Sequence, residues 1–346
     1  MVAAVKVGVF LGGSDAASMQ LAVEADRLGA DSVWMPEFWA YDALTPLAYL
    51  AAKTTSVRLG TAIVQVGARS PAMLAMSSMS LQALSGGRFV LGLGASGPQV
   101  MEGWHGVPYS APLQATRETI DIIRTVASGE RLSYQGQVYT LPLPGGAGRA
   151  LRSAAPPVTV PIYVASLGPR NLALTGELAD GWIGNAFVPE QAEVFLAPLR
   201  SGAAAAGRSL DDLELCIPVA VEFTDDVDGA ARRHADGYAF TIGAMGSARQ
   251  NFYKDAFERQ GFGDDVVEVQ RLWLAGQRDE AARRVPVEIG QLTNLLGTPE
   301  MIAERVRLHR GAGVTTLLAK LDGSLEQRLA NLDQLLEVVR RVSAQG

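Results

Sequence analysis

Over nearly all of its 346 residues the chain repeats one unit: a short β-rich apolar run, a glycine-rich or polar turn, then a longer stretch with helical spacing. Strands joined through helices pair in parallel, because the helix returns the chain to the edge where the strand began. Val5 to Leu11 reads as a strand, and Leu21, Ala25 and Leu28 recur at i, i+4 and i+7 before Gly29 stops the helix. Ser32 to Met35, Val57 to Val64, Phe89 to Leu93, Ile162 to Ala165, Trp182 to Gly184, Glu214 to Phe223 and Val314 to Lys320 supply the further strands. About eight such units is the number at which a parallel sheet closes into a barrel. A doubly wound open sheet is the alternative, since one sequence does not state strand order.

A (β/α)₈ barrel often exceeds 250 residues as one domain, so residues 1–346 read as a single unit with two additions. Leu132 to Leu141, with Gly136 between two aromatic-bearing arms, reads as an inserted hairpin; the region near 226–287 is longer than one barrel helix requires and reads as a helical excursion. Pro142 to Pro157 is a loop after which the alternation resumes.

A net charge of −6 with no dense run of Lys or Arg offers nothing to nucleic acid. No stretch approaches the roughly 20 apolar residues of a membrane span. Met1 to Gly13 lacks the long apolar core of a secretion signal and reads as the opening strand, which makes a cytoplasmic chain the expectation. The single cysteine, Cys216, lies in an apolar run and reads as a packing residue. Three scattered histidines have no metal-ligand spacing, and His234 and His309 fall in helical stretches where a solvated role is expected.

In a barrel the chemistry sits where strands end, so those junctions carry the functional reading. After the second strand stand Glu37, Phe38, Trp39 and Tyr41, a carboxylate beside rings able to stack on a flat ligand. After the third come Gln65 and, before a helix start, Arg69. The fourth ends in Leu91-Gly92-Leu93-Gly94-Ala95-Ser96-Gly97-Pro98, small residues that let a ligand reach backbone N–H groups; Glu102, Trp104 and His105 follow closely. The fifth exits through Ala165, Ser166, Leu167, Gly168 and Pro169 to Arg170 at a helix start, a phosphate cradle made of backbone donors, dipole and guanidinium.

As an ordered set, several segments resemble the luciferase-like monooxygenase superfamily. They are Gly60 to Ile63, Arg69-Ser70-Pro71, Leu84 to Phe89 running into Leu91-Gly92-Leu93-Gly94, Pro161-Ile162-Tyr163 running into Ala165 to Pro169, Ala179 to Trp182, Gly297 to Glu300, and Ala312 to Val314. Leu167-Gly168-Pro169 is more similar to the branch of F420-dependent oxidoreductases that includes methylenetetrahydromethanopterin reductase than to the FMN-dependent branch. The resemblance implies a bacterial-luciferase-like (β/α)₈ barrel with a non-prolyl cis peptide at Ala62-Ile63, bulging the third strand against a deazaflavin. It implies coenzyme F420 held by Thr61, Ala62, Ile63, Gln65, Gly94, Ala95, Ser96, Gly97 and Ala165, and by Ser166, Leu167, Gly168, Pro169 and Arg170, with the phosphate on Ser96-Gly97 and on Ser166 to Arg170. A homodimer is the expectation by the same analogy.

Two positions depart from relatives: Phe38 follows Glu37 where some carry His, and Pro98 follows Gly97 where some sugar-phosphate-oxidising enzymes carry a carboxylate. Acid–base roles therefore do not carry over, and Glu37 remains the catalytic candidate, with Trp39, Gln65, Trp104 and His105 toward a small-molecule substrate. The leading expectation is hydride transfer between deazaflavin C5 and a small organic substrate. An FMN-dependent monooxygenase using oxygen is one alternative, and a cofactor-binding barrel without catalysis, suggested by the two departures, is another.

Overall fold

Alternation along the first strand sets the layers of the structure. Val5, Val7, Val9 and Leu11 pack outward with the helices, while Gly8 and Phe10 face the opposite way. In this computed structural model, which describes residues 4–246 and 251–345, the strands are β1 (Lys6–Phe10), β2 (Ser32–Met35), β3 (Arg58–Thr61), β4 (Phe89–Gly94), β5 (Ile162–Ala165), β6 (Gly181–Ile183), β7 (Glu214–Phe223) and β8 (Thr316–Lys320). Each pairs in parallel with the next, β8 pairs with β1, and the ring closes without an edge in its wall. The chain is a (β/α)₈ barrel, with helices such as Pro71–Ser85 wrapping it. That helix begins at a Ser70 cap and Pro71, and ends at left-handed Gly86 (φ 66°).

The lumen is filled. Trp34, Val90, Tyr163, Ile183, Cys216 and Leu318, from six strands, form one buried cluster. Gly60 makes room for it, since a Cβ there would stand 2.3 Å from the Trp34 ring. At the amino-terminal end of the barrel Arg58 binds Asp31 at 2.6 Å and Glu214 at 2.9 Å and donates to the Tyr163 hydroxyl at 3.2 Å. Burial opposes that guanidinium charge, but the bonds to Glu214 and Asp31 outweigh it and hold its pKa above the ordinary arginine value.

The Ala62-Ile63 peptide is cis, as the resemblance implied: the third strand stops at Thr61 and resumes beyond it as the short Val64–Gln65 pair. Two details differ from the expectation. A ninth strand, Leu295–Gly297, lies alongside the end of β7. His309 is fully buried, and His234 is half-buried with its Nε2 shut off from water, so neither is a solvated helix residue: each helix turns that face toward packed neighbours. Cys216 is buried in the lumen cluster.

Within 132–141, Tyr134–Gln135 and Thr140–Leu141 pair antiparallel. From Val227 to Thr293 the described chain is a run of short helices with an apolar core of its own, built on Ala239, Ile242, Phe257, Val266, Val269 and Ile289. Gln260 fastens it to the barrel by accepting from Val188 N at 2.9 Å and donating to the Ala186 carbonyl at 2.7 Å. No helix among the described residues is long and apolar enough to cross a membrane.

Candidate active site

Strand register places three of the expected ligand-binding residues side by side. Gln65 is opposite Gly94, and Gly94 is opposite Ala165, one row across the carboxyl-terminal ends of three neighbouring strands. The row is paved with small groups. A Cβ on Gly94 would stand 2.7 Å from Ile63 Cγ1 and Cδ1, so the glycine lets the Ala62-Ile63 bulge lie against β4. Below it, the buried Thr61 hydroxyl donates to Gly92 O and accepts from Gly92 N, both at 2.8 Å; this side chain ties β3 to β4. Ala62, Ile63 and Ala165 rest partly buried on the lumen cluster and form the floor above it.

Gln65 is 4% exposed. Its Nε2 donates to the Glu37 carbonyl at 2.7 Å, whereas its Oε1 is buried with no partner. A buried acceptor left open at a cleft is costly, and a ligand donor would satisfy it.

Glu37, Trp39, Trp104 and His105 meet around Gln65 in a cleft of about 260 Å³, joined by Phe38, Tyr41 and Arg69. Trp39 and Trp104 also border a second cleft of about 320 Å³ with Gln99, Val100 and Gly103. Trp39 is 49% and Trp104 65% exposed, and Phe38 and Tyr41 are exposed beside them. So much uncovered aromatic surface at a barrel mouth suits an apolar or flat ligand. Glu37 accepts from Arg69 Nη1 and Nη2, each at 2.7 Å, and from Ala43 N at 3.1 Å, so both carboxylate oxygens are engaged. The bonds to Glu37 are also the largest cause raising the Arg69 pKa.

Next to the floor lie two candidate anion contacts. Beyond Gly94 and Ala95, Ser96 takes a left-handed conformation (φ 58°), and Gly97 opens the four-residue helix Pro98–Met101. Such backbone in a non-glycine residue clusters at functional sites. At the β5 exit Gly168 precedes the helix Pro169–Leu178 with no side chain capping its first N–H groups, and Arg170 is exposed there. Ser166, expected on the phosphate, is buried instead: its hydroxyl pairs with that of Thr175 at 2.8 Å, and its carbonyl accepts from Trp182 Nε1 at 2.9 Å. It contributes shape, since its side chain points into the fold. Leu167 gives its carbonyl to Arg259 Nη2 at 2.7 Å.

Sequence reasoning passed over Arg259, because the excursion that carries it lies almost a hundred residues beyond the exit it covers. Among the described residues no group of three or more His, Cys, Asp or Glu is placed to hold a metal.

A family profile described as luciferase-like monooxygenase matches residues 9–316. The chain is similar to a Mycobacterium tuberculosis protein described as a coenzyme F420-dependent oxidoreductase, at 38% identity over 94% of this chain and 98% of that one. It is 35% identical to 5,10-methylenetetrahydromethanopterin reductase of Methanolobus tindarius over 85% of this chain and 87% of that one. Among solved structures, the F420-dependent tetrahydromethanopterin reductase of Methanopyrus kandleri superposes with a TM-score of 0.78 at 23% identity, covering 96% and 97% of the two chains. The FMN-bound oxygenating constituent of 3,6-diketocamphane monooxygenase from Pseudomonas putida superposes with a TM-score of 0.70 at 18% identity, covering 98% of each. Both superpositions show the same fold.

Proposed function

The chain belongs to the luciferase-like monooxygenase family, and from that premise we propose that it is an F420-dependent oxidoreductase which exchanges a hydride with a small organic substrate held at the aromatic cleft. The observation that carries this reading is the row Gln65, Gly94, Ala165. It offers a flat, small-residue floor with one open acceptor at its side, beside an uncapped helix start and an exposed arginine. A planar ring with an anionic tail matches those features in order.

Bound F420 supplies the ring carbon that gives or takes the hydride. The chain's own residues do the rest. Gln65 Oε1 accepts from a ring or substrate donor; Gly94 and Ala165 admit the ring to the strand ends; Arg170 and the N–H groups after Gly168 take the tail. Trp39, Trp104 and His105 cover the substrate side and exclude water. Glu37 touches the same cleft, and with its oxygens held by Arg69 and Ala43 its part is to set the aromatic loop in place. Pairing of two copies through the outer helices belongs to the same reading.

Parallel titration with F420 and FMN, followed by fluorescence and by protection against thermal unfolding, tests it, since a ligand that prefers the native state raises stability. Micromolar or tighter F420 binding with negligible FMN binding is expected. The reverse result would replace the reading with an oxygen-using flavin enzyme.

A further inference from the structure

Four aromatic side chains, Phe38, Trp39, Tyr41 and Trp104, stand exposed around the cleft that Gln65 lines. Trp39 and Trp104 also border the second cleft, where Val100 and Gly103 give an apolar lining, so the two spaces adjoin at these indoles. The π faces of indole and phenol attract a cation as readily as an apolar group.

Charge in the lining has one sign left over. Among the described residues around both clefts Arg69 is the single guanidinium or ammonium, and both its terminal nitrogens are bonded to Glu37. Asp42 is the second carboxylate of the lining. Its Oδ1 accepts from Thr45 N at 2.8 Å, and among the described residues it forms no ion pair. An anionic substrate meets repulsion there, and a cationic one is drawn in.

Gln65 gives the cleft its direction. The Glu37 carbonyl can only accept, so the amide nitrogen is the atom turned to it, and Oε1 is the atom left without a partner. This buried acceptor lies at the edge of the strand-end row, opposite Gly94. An N–H carrying positive charge is its strongest match.

Proton delivery to a reacting oxygen is poorly provided for. Both Glu37 oxygens are engaged by Arg69 and Ala43, and Phe38 and Pro98 stand where some relatives carry acid–base groups. A carbonyl needs a proton brought to its oxygen as a hydride arrives. A protonated imine brings its own.

Resting on the F420 reading above, we propose that the substrate is a cation, a small amine in exchange with its iminium. Its N–H donates to Gln65 Oε1, its charge lies against the faces of Trp39 and Trp104 with Asp42 as counter-charge, and its hydrocarbon part extends toward Val100. In the reducing direction a hydride from the reduced deazaflavin forms a C–H bond at the iminium carbon, and the C=N π pair moves onto nitrogen. The product is a neutral amine, which takes a proton from solvent. The iminium is reduced as the deazaflavin is oxidised, and no side chain gives up a proton. In amine oxidation the ammonium first loses its proton to water, and the hydride and electron pair then move in reverse.

Three compounds of one shape and different charge test this on the unaltered chain by calorimetry, with and without F420: benzylamine, which is an ammonium at neutral pH, benzyl alcohol and benzoate. Benzylamine is expected to bind about tenfold more tightly than the alcohol, with benzoate weakest. Equal or tighter binding of the alcohol or of benzoate, or binding of none of the three, would overturn the inference. Absence of F420 binding in a parallel fluorescence titration would remove the cofactor reading, whereas the order of the three ligands on the chain alone answers for the cation site.

Asp42→Asn keeps an oxygen for Thr45 N and should cut the preference for the ammonium about threefold, the scale of one exposed charge pair. Gln65→Leu should weaken benzylamine about tenfold, as loss of a hydrogen bond to a charged group does, and leave benzyltrimethylammonium, which has no N–H, nearly unchanged. Unchanged benzylamine binding in both variants would take the site away from these residues. With reduced F420, dihydroisoquinoline and pyrroline should be reduced, followed by the return of deazaflavin absorbance. F420 binding with neither imine turned over would overturn the substrate class and leave the cofactor reading standing. Should Gln65→Leu fail to fold, Asp42→Asn and the ligand order decide.

Discussion

Arg69 closes on Glu37 through two parallel hydrogen bonds of 2.7 Å, Nη1 to Oε1 and Nη2 to Oε2, joining the loop after β2 to the loop after β3. Both partners border the aromatic cleft, and their charges cancel there. Arg69→Ala would leave a nearly buried carboxylate with only Ala43 N as donor. The expected loss is about 3 kcal/mol in chemical denaturation, with Arg69→Lys recovering part of it because an ammonium cannot make both bonds. Glu37→Gln should cost less than tenfold in kcat/KM. A thousandfold loss in that folded variant would instead make Glu37 the acid–base group.

Gly92 and Gly12 offer a paired test of the barrel wall. A Cβ on Gly92 would stand 1.9 Å from the Thr61 carbonyl oxygen, a backbone atom that cannot swing aside, while a Cβ on Gly12 meets nothing within 4 Å. Gly92→Ala should lose about 3 kcal/mol of stability, the upper end of ordinary overpacking, and loosen the Thr61 bridge. Gly12→Ala should melt within a degree or two of the unaltered protein, as measured by calorimetry.

Arg170 is exposed beside helix N–H groups that no side chain caps. Arg170→Ala should weaken F420 binding roughly tenfold, as loss of one charge-assisted contact does, with thermal stability unchanged. Unchanged affinity in a fluorescence titration would take the anion cradle away from this exit.

His309 gives the molecule a pH signature unrelated to its chemistry. Its Nδ1 bonds the Arg305 carbonyl at 2.8 Å, its Nε2 is buried without a partner, and burial lowers its pKa from 6.5 to about 4. Between those two values the unfolded chain binds the proton and the folded chain does not, so stability rises with pH across that window and levels off above it. The integrated effect is about 3 kcal/mol. His309→Phe should flatten the slope between pH 4 and 6.5 in denaturant titrations; an unchanged slope would assign it to other groups.

The barrel was legible because each strand–helix unit writes its own periodicity: Ser32–Met35, Ile162–Ala165 and Glu214–Phe223 fall where the pattern put them. Gly92 and Gly94 were legible as small residues at a strand exit, and the structure packs them against Thr61 and Ile63. The Glu37–Arg69 pair was not, although both residues had been singled out, because their contact depends on which loops become neighbours once the sheet closes. His234 and His309 were misjudged for a related reason. A helical pattern fixes which residues share a face and leaves open whether another element covers that face.

Between Val227 and Thr293 the helices bury Ile242, Phe257 and Val269 against one another and against Ala186 of the β6 exit, apart from the residues that hold the barrel together. The mouth thus has a floor and a roof built on separate cores. Substitutions that reshape the roof need not disturb the strand ends where the ring is proposed to lie. A lineage descended from this architecture could rewrite the roof while inheriting the strand-end floor unchanged.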